Sequence, residues 1–284
     1  MTSETLTPVK KRVIYDVGAN NGDDIPYYLH KADVVVAVEA NPALCELISK
    51  RFEGEIRSGR LVLENCVVVD KAAAGLVDFY IHTSDHVLSQ LPQPAPSDLA
   101  MFEKVALPAK TISALIASHG DPFYVKIDIE HCDAQLLRAL FSAGVFPPFI
   151  SAESQSVEVF SLLVAQGGYN AFKLVAGRSV SRVYSNRSIY SDYERRRVQV
   201  SFPVHAAGPF GNDLDGAWMT ADNFLEVVAL EGLGWRDIHA TKVETADSSV
   251  RVSDLQFVLR CARRVIKSKF GGVWASLRRS LPTR

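Results

Sequence analysis

The sequence predicts an α/β fold whose sheet is mostly parallel and doubly wound. Short apolar runs rich in β-branched residues, at positions 13–17 and 34–38, predict strands that are covered on both faces. Residues 42–52, which follow the second run, have the apolar spacing of an amphipathic helix. A turn with glycines at both ends, residues 18–22, leads from the first strand into the first helix. This alternation favours parallel strands joined by crossover helices.

The same alternation continues along most of the chain. Further strands are predicted at residues 61–69, 77–81, 123–128, 149–153, 169–175 and 198–204. Further helices are predicted at residues 25–31, 111–119, 133–143, 157–166 and 221–230. The proline-rich residues 82–108 are predicted to form a loop or lid. We expect a core at 12–206 and a basic amphipathic tail at 259–284. Between them, residues 207–258 are expected to form an extension that caps the core or lies beside a bound substrate.

Composition and charge narrow the class of protein. Of the 284 residues, 48% are hydrophobic and 22% are charged, which is ordinary for a globular chain with a full core. The formal net charge of −1 gives no overall field that attracts nucleic acid, so we predict no nucleic-acid partner. Cys45, Cys66, Cys132 and Cys261 lack the close spacing of a zinc site or a disulfide framework, and we predict free thiols.

The two ends of the chain bear on its location. Residues 1–11 are polar and lack the apolar segment of a secretion signal, and residues 34–38 are far too few to span a bilayer. We therefore expect a soluble, cytoplasmic protein. Residues 260–284 contain basic and apolar side chains, such as Trp274, but no acidic residue. This pattern fits weak contact with an anionic membrane or a partner, and equally a solvated helix that packs on its own domain.

The turn Asp16-Val-Gly-Ala-Asn-Asn-Gly22 is the first motif that indicates a ligand site. Gly18 and Gly22 allow a sharp bend and a close approach of the backbone to a ligand. The helix that follows presents free N–H groups at its positive end, which suits a carboxylate or a phosphate. The dinucleotide pattern GxGxxG is absent, which argues against a nicotinamide or flavin enzyme. Taken alone, such a turn is equally compatible with a structural role.

Glu39 strengthens the case for a nucleoside ligand. It ends the second predicted strand 21 positions after Gly18, close to the offset of about 20 residues at which an acidic residue meets a ribose diol. A carboxylate accepts hydrogen bonds from both hydroxyls and repels a 2′-phosphate. A solvated glutamate at a strand end is the ordinary alternative.

The segment Lys126-Ile-Asp-Ile-Glu-His131 follows another buried strand. Strand alternation places Lys126, Asp128 and Glu130 on one face, and open α/β sheets bind ligands beyond the carboxyl ends of their strands. A buried cluster of this kind is either functional or a lysine–carboxylate pair that supports a loop.

In this order and spacing, residues 16–22 (DVGANNG), 38–42 (VEANP) and 125–130 (VKIDIE) resemble the FkbM family of methyltransferases. The usual pattern of that family is DVGANxG, VExNP, a TLD-like helix start and KIDVEG. Lys110-Thr-Ile-Ser113 stands in the TLD-like place, and the similarity covers about residues 14–175.

The resemblance implies the seven-stranded, mostly parallel sheet of Rossmann-like class I methyltransferases, with S-adenosyl-L-methionine as cofactor. It also implies cofactor contacts by Asp16, Gly18, Asn20 and Gly22 to the methionine part, by Glu39 to the ribose, by Asn41, Asn65 and Ser89 near the adenine, and by Asp128 near the sulfonium.

The sequence departs from the family pattern at His131, which replaces a glycine, and at Asp133, which replaces a glutamate. A histidine with a pKa near neutrality suits abstraction of a proton from a hydroxyl, although a loop histidine with one structural hydrogen bond is an equal alternative. The candidates for catalysis are Lys126, Asp128, Glu130 and His131.

Three further features bear on the acceptor side. Glu153 ends the next strand and is expected to face the acceptor pocket. His82 and His86 have a spacing that suits a metal only on a helix, so we predict no metal. Residues 208–218 either cover the acceptor or form a plain surface loop.

The sequence thus predicts an S-adenosylmethionine-dependent enzyme, most simply an O-methyltransferase acting on a hydroxyl of a saccharide or secondary metabolite. The alternative is a non-catalytic S-adenosylmethionine-binding module that serves as a scaffold or partner protein, which the departure at His131 and the long C-terminal extension suggest.

Overall fold

The computed structural model describes residues 11–71, 75–243 and 246–248, so the predicted tail at 259–284 lies outside the described residues. The strands are β1 (Val13–Val17), β2 (Val34–Glu39), β3 (Leu61–Asn65), β4 (Val67–Val69), β5 (Leu76–His82), β6 (Phe102–Thr111), β7 (Pro122–Ile127), β8 (Phe149–Ser154), β9 (Ala171–Ala176), β10 (Arg187–Ser191), β11 (Arg196–Val200) and β12 (Gly234–Thr241). The helices are α1 (Ile25–Lys31), α2 (Pro42–Arg51), α3 (Glu53–Arg57), α4 (Ile112–His119), α5 (Asp133–Ser142), α6 (Val157–Ala165), α7 (Val180–Val183) and α8 (Ala221–Glu231).

Seven strands form the central sheet, in the order β3-β2-β1-β7-β8-β12-β9. The pairs from β3 to β8 are parallel, and β12 runs antiparallel to both of its neighbours. The strand order reverses next to β1, where the chain continues first to β2 and later to β7. This is the Rossmann-like fold of class I methyltransferases, and the predicted fold class is confirmed.

The helices cover the two faces of this sheet unequally. One face packs against α4, α5, α6 and α8, through an apolar cluster that includes Val125, Ile127 and Leu137. The other face packs against α1, α2 and α7 and against the segment around Phe210, whose ring stacks on Tyr124 with centroids 3.9 Å apart. Residues 208–218 therefore contribute to the core, and Phe210 is buried there.

A row of buried polar side chains crosses this second face. Register pairs on adjacent strands point to the same side of a sheet. Four such pairs connect Asp16, Lys126, Ser151, His239 and Lys173, each of which is at most 6% exposed. We call these five residues the polar row. It lies one pleat below the carboxyl ends of the parallel strands.

A small three-stranded sheet, in the order β4-β6-β5, corrects two predictions. Residues 61–69 form two strands that belong to different sheets, because the chain leaves the central sheet after Asn65. Residues 102–108 belong to β6 and are not part of a loop. Pro108 is tolerated there because β4 pairs with β6 only from Ala109 onward, so no hydrogen bond to β4 is lost at the proline.

The predicted division of the chain at residue 206 does not coincide with the end of the sheet. Strand β12 inserts between β8 and β9, and Phe224 of α8 is buried in the apolar cluster of the first face. Residues 221–241 are therefore part of the core and do not cap it. The sequence pattern did not reveal this, because β12 pairs with residues far away in the chain, for example Thr241 with Ala171. Among the described residues, no helix is long and apolar enough to cross a membrane.

Candidate active site

A cavity of about 370 Å³ opens at the carboxyl ends of the parallel strands. Its volume lies within the range of small-molecule sites, about 300–1,000 Å³. Strand order arranges its walls. The β2 side is mainly apolar, with Leu44, Val67, Val68, Phe79 and Leu91 beside the polar side chains of residues 86, 89 and 90. The β7, β8 and β12 side carries Asp128, Glu130, Glu153, His205 and Trp235. We call these sides the apolar end and the acidic end, and Gly18, Asn20 and Glu39 lie between them.

Gly18 lets β1 approach β7 at the floor of the cavity. Its φ of +87° lies in the left-handed region, and a Cβ atom placed there would lie 1.9 Å from the backbone oxygen of Asp128. The turn is held on its other side, since the N–H groups of Gly18 and Ala19 both donate to the carbonyl of Val38 at 3.0 Å. Only glycine satisfies both constraints.

Asn20 supplies a polar atom that has no partner. Its φ is +49°, a conformation that asparagine adopts more readily than most residues. The Oδ1 atom is buried and accepts no hydrogen bond from the described residues, although the side chain lines the cavity. A donor on a bound ligand would satisfy this oxygen.

Glu39 lines the cavity, and backbone N–H groups hold both of its carboxylate oxygens. Oε2 accepts from the backbone N–H of Asn20 at 2.7 Å, and Oε1 accepts from that of Asn41 at 2.8 Å. Burial raises the pKa of Glu39 to about 7, against the opposing effect of these two hydrogen bonds. Each oxygen keeps a further lone pair, so the carboxylate can accept from two neighbouring hydroxyls.

Lys126 is the central cation beneath the cavity. Its Nζ lies 3.2 Å from Asp16 Oδ1, 3.1 Å from the carbonyl oxygen of Gly18 and 3.5 Å from Asp128 Oδ2. Burial disfavours its charge, but the surrounding carboxylates, Asp16 foremost, outweigh this and raise the pKa of Lys126 well above its usual value. Lys126 and Asp16 do not line the cavity. They fix the position of Gly18 and of the Asp128 carboxylate, which does line it.

Asp24 is a structural residue that the sequence analysis did not single out. It is buried and accepts from the backbone N–H groups of Ala207 and Gly208 at 2.9 and 3.1 Å. Burial raises the pKa of Asp24 to about 7. It joins the start of α1 to the segment that precedes Phe210. That segment covers the face of the sheet that carries the polar row.

The acidic end is organised by Gln155. Its Nε2 donates to Glu153 Oε2 at 2.8 Å and to Glu130 Oε2 at 3.2 Å, and its Oε1 accepts from the backbone N–H of His131 at 3.1 Å. Burial and the nearby Asp128 raise the pKa of Glu153 to about 7, and the same causes raise that of Glu130. The rings of His205 and Trp235 stack near the exposed side of this end, with centroids 6.4 Å apart.

The structure brings together about half of the residues predicted for the site. Gly18, Asn20, Glu39, Ser89, Asp128 and Glu130 line the cavity, as does Glu153. Gly22 instead packs beside Ile48 and Phe52 of the helix layer. Asn41 caps α2 through a 3.0 Å bond from Ala43 N, and Asn65 donates to the carbonyls of Glu39 and Ala40. These two asparagines position Glu39 from outside the cavity wall.

His131 lies outside the cavity. It is exposed, with a φ of +66°. That conformation favours glycine, the residue usual at this place in the pattern that the motif resembles. Asp133, the other departure, accepts from the N–H of Ile129 at 3.3 Å and starts α5. Both residues shape the turn that presents Glu130.

The apolar end was missed almost entirely by sequence reasoning. It is assembled from α2, from β4 and β5 of the small sheet and from residues 86–91 of the predicted lid. Ser89 is held there by a 3.1 Å bond from His82 N to its Oγ. Isolated apolar residues in such a segment carry no recognisable pattern. In the described parts of the chain, no group of three or more His, Cys, Asp or Glu side chains has the arrangement of a metal site.

Comparisons with known proteins give similarities of fold only. No family model and no curated protein matches the sequence. Among solved structures, the chain is similar to methyltransferase FkbM from Methylobacillus flagellatus, with 14% identity and a TM-score of 0.37 over 61% of this chain and 42% of that one. It is also similar to a precorrin-6Y C5,15-methyltransferase from Geobacter metallireducens, with 12% identity and a TM-score of 0.36 over 82% and 80%. A third is an S-adenosylmethionine-dependent O-methyltransferase from Thermotoga maritima, with 10% identity and a TM-score of 0.35 over 84% and 61%. The chain thus spans less than half the length of the first of these proteins.

Proposed function

We propose that this protein transfers a methyl group from S-adenosyl-L-methionine to a hydroxyl of a saccharide or secondary metabolite. The observation that supports this most is the position of Glu39, which lines the cavity between the apolar end and the acidic end and whose two oxygens are fixed by backbone N–H groups. The apolar end, Glu39 and the acidic end follow one another along the cavity in the same order as the base, the ribose and the charged, reactive group of the cofactor.

The residues present fit the cofactor. The apolar end suits an adenine ring, and Glu39 suits the two ribose hydroxyls. The unpartnered Oδ1 of Asn20 and the carboxylate of Asp128 suit the cationic groups of the methionine part. S-adenosylmethionine supplies an activated methyl group on a positively charged sulfur. The protein's part is to hold the acceptor oxygen in line with that group and to exclude water.

The acidic end suits a polyhydroxylated acceptor. Carboxylates of Asp128, Glu130 and Glu153 accept hydrogen bonds from hydroxyls, while the Trp235 ring offers an apolar face on which a sugar or an aromatic ring can stack. Among the described residues, the cavity wall contains no lysine or arginine, which disfavours a phosphorylated acceptor.

Two measurements test the proposal. Calorimetry with S-adenosylmethionine and its demethylated product measures cofactor binding. Transfer of tritium from the labelled methyl group to a panel of monosaccharides, disaccharides and phenols measures activity. We expect Asp128→Asn to lose transfer and the exposed Glu103→Gln to retain it, because Asp128 lines the cavity and Glu103 does not. Absence of cofactor binding refutes the proposal, and binding without transfer to any acceptor identifies a binding module instead.

A further inference from the structure

We propose that Glu153 is the general base that accepts the acceptor's proton, and that Gln155 is the residue that positions it. This inference rests on the proposed methyl transfer and adds to it the identity of the base, which the motifs in the sequence place elsewhere. It is carried by the place of Glu153 in the sheet and by its hydrogen bonds.

Glu153 stands on the most rigid part of the acidic end. It lies in β8, between β7 and β12, and it pairs in register with Asp237 of β12. Its side chain lines the cavity, and Asp128 follows the end of the neighbouring strand β7. A base held on an interior strand keeps its geometry better than one held on a loop.

The other candidates are less suited to take a proton. Asp128 Oδ2 lies 3.5 Å from Lys126 Nζ, so this carboxylate is already engaged in an ion pair. His131 is exposed and outside the cavity wall. Glu130 lies in the turn before α5 and shares the Gln155 amide with Glu153, over a longer distance of 3.2 Å against 2.8 Å.

The charges that face Glu153 favour uptake of a proton. Asp128 and Lys126 face it from β7, Glu130 and Asp133 from the turn and start of α5, and Asp237 from β12. Four of these five groups are carboxyls and one is a cation. Burial, and then the nearby carboxylates of Asp128 and Glu130, raise the pKa of Glu153 to about 7, whereas the hydrogen bond from Gln155 and the charge of Lys126 oppose this rise. A base with that pKa is ionised in part at neutral pH and strong enough to accept a hydroxyl proton.

In the proposed transfer step, Glu153 takes up the proton that the acceptor hydroxyl loses. The acceptor oxygen forms a bond to the methyl carbon while the carbon–sulfur bond breaks and its electron pair stays on sulfur. The acceptor O–H bond breaks, and its proton moves to a carboxylate oxygen of Glu153. The acceptor leaves as a methyl ether, and Glu153 returns its proton to water before the next turnover.

The experiment combines a titration with kinetics. Protein labelled with ¹³C at the glutamate carboxyl and saturated with the demethylated product is titrated by NMR, with Glu153→Gln assigning the signal. We expect a midpoint near 7 and an upward shift of that midpoint in Gln155→Met. With the best hydroxyl acceptor of the panel, Glu153→Gln should lower kcat about 100-fold or more. Its affinity for S-adenosylmethionine should stay within about threefold of the wild-type value, because the cofactor contacts proposed for Asn20 and Glu39 remain.

The pH profile distinguishes a Gln155 that positions Glu153 for catalysis from a Gln155 that only supports the fold. The rate should rise with pH up to the midpoint and then level off, since the base must be ionised, and Gln155→Met should move this limb to higher pH. Glu103→Gln is the matched surface control. The inference is overturned by a Glu153 midpoint below about 5, or by a Glu130→Gln variant that loses activity while Glu153→Gln keeps it. Failure of the wild-type protein to bind the cofactor overturns the proposed function instead, whatever the titration shows.

Discussion

The two faces of the central sheet bury different kinds of side chain, apolar on one face and partly polar on the other. The face that packs on α4, α5, α6 and α8 presents side chains such as Val125, Ile127 and Ile150. The other face carries the polar row, with Lys126 beside Asp16 and His239 beside Lys173. The first face needs only a matching apolar surface, whereas each polar group on the second needs a partner.

The polar face gives up some stability in order to support the candidate site. The carboxylates above the polar row line the cavity, and Lys126 links the row to Asp128 at 3.5 Å. Buried ion pairs are weak contributors to stability, and breaking one is costly. The polar row is therefore best understood as the support of the cavity floor, which the apolar face stabilises from the other side of the sheet.

The largest expected effect comes from Lys126→Met. This variant leaves Asp16 buried without its counter-ion, and we expect the free energy of unfolding to fall by about 3–5 kcal/mol. Ile127→Val, one residue further and on the other face, should cost only about 0.5–1.5 kcal/mol. Urea unfolding measures both. A double variant Asp16→Asn/Lys126→Met should regain part of the loss, and equal costs for the two single variants would refute the contrast between the faces.

Gly18→Ala should have the next largest effect. The added Cβ atom meets the Asp128 carbonyl oxygen in a left-handed backbone conformation, and we expect a loss of about 3 kcal/mol together with loss of ligand binding. Gly59→Ala is the control, because Gly59 has a similar φ of +75° and a Cβ atom added there would have no neighbour within 4 Å. Its cost should be about 1 kcal/mol. Equal losses in the two variants would show that the close approach to Asp128 is unimportant.

A smaller effect is expected at His239, and it depends on pH. Burial lowers the pKa of His239 to about 3, so the unfolded chain binds a proton near pH 6.5 that the folded protein does not. Stability from this neutral histidine is complete above pH 6.5 and is lost progressively as the pH falls toward 3. Between pH 7 and 5 the wild type should therefore lose about 2 kcal/mol more than His239→Leu. Parallel profiles for the two proteins would show that His239 is not the group responsible.

The smallest expected effect tests the role of Glu39 in ligand binding. Glu39→Gln should raise the Kd for S-adenosylmethionine about tenfold at pH 8, because the amide accepts one hydroxyl where the carboxylate accepts two. In the wild type, affinity should weaken as the pH falls below about 7, where Glu39 takes up a proton, and the variant should lack this dependence. Calorimetry at several pH values measures both. A variant that binds as tightly as wild type would separate Glu39 from the ligand.

The local sequence pattern was sufficient to predict the part of the site around the glycine turn and Glu39, but not the apolar end. Asp16 to Gly22 and Glu39 lie within a single βαβ unit, so their spacing along the chain fixes their distance in space. The apolar end has no such spacing, because Leu44, Phe79 and Leu91 meet only after the small sheet has folded over the central one. Strand β12 was unrecognised as part of the core for the same reason, since its neighbours β8 and β9 are distant in sequence.

Residue pattern alone was enough to predict the doubly wound α/β fold, the glycine turn and the acidic residue at the end of the second strand. These depend on the period of apolar residues and on backbone conformations that few residues other than glycine adopt, both of which are local. The folded arrangement was needed to show that Asn41 and Asn65 support Glu39 from behind, that His131 stands outside the cavity and that Gln155 connects Glu153 to Glu130. Register between distant strands and the direction of side chains in a turn set those outcomes, and neither leaves a periodic trace in the chain.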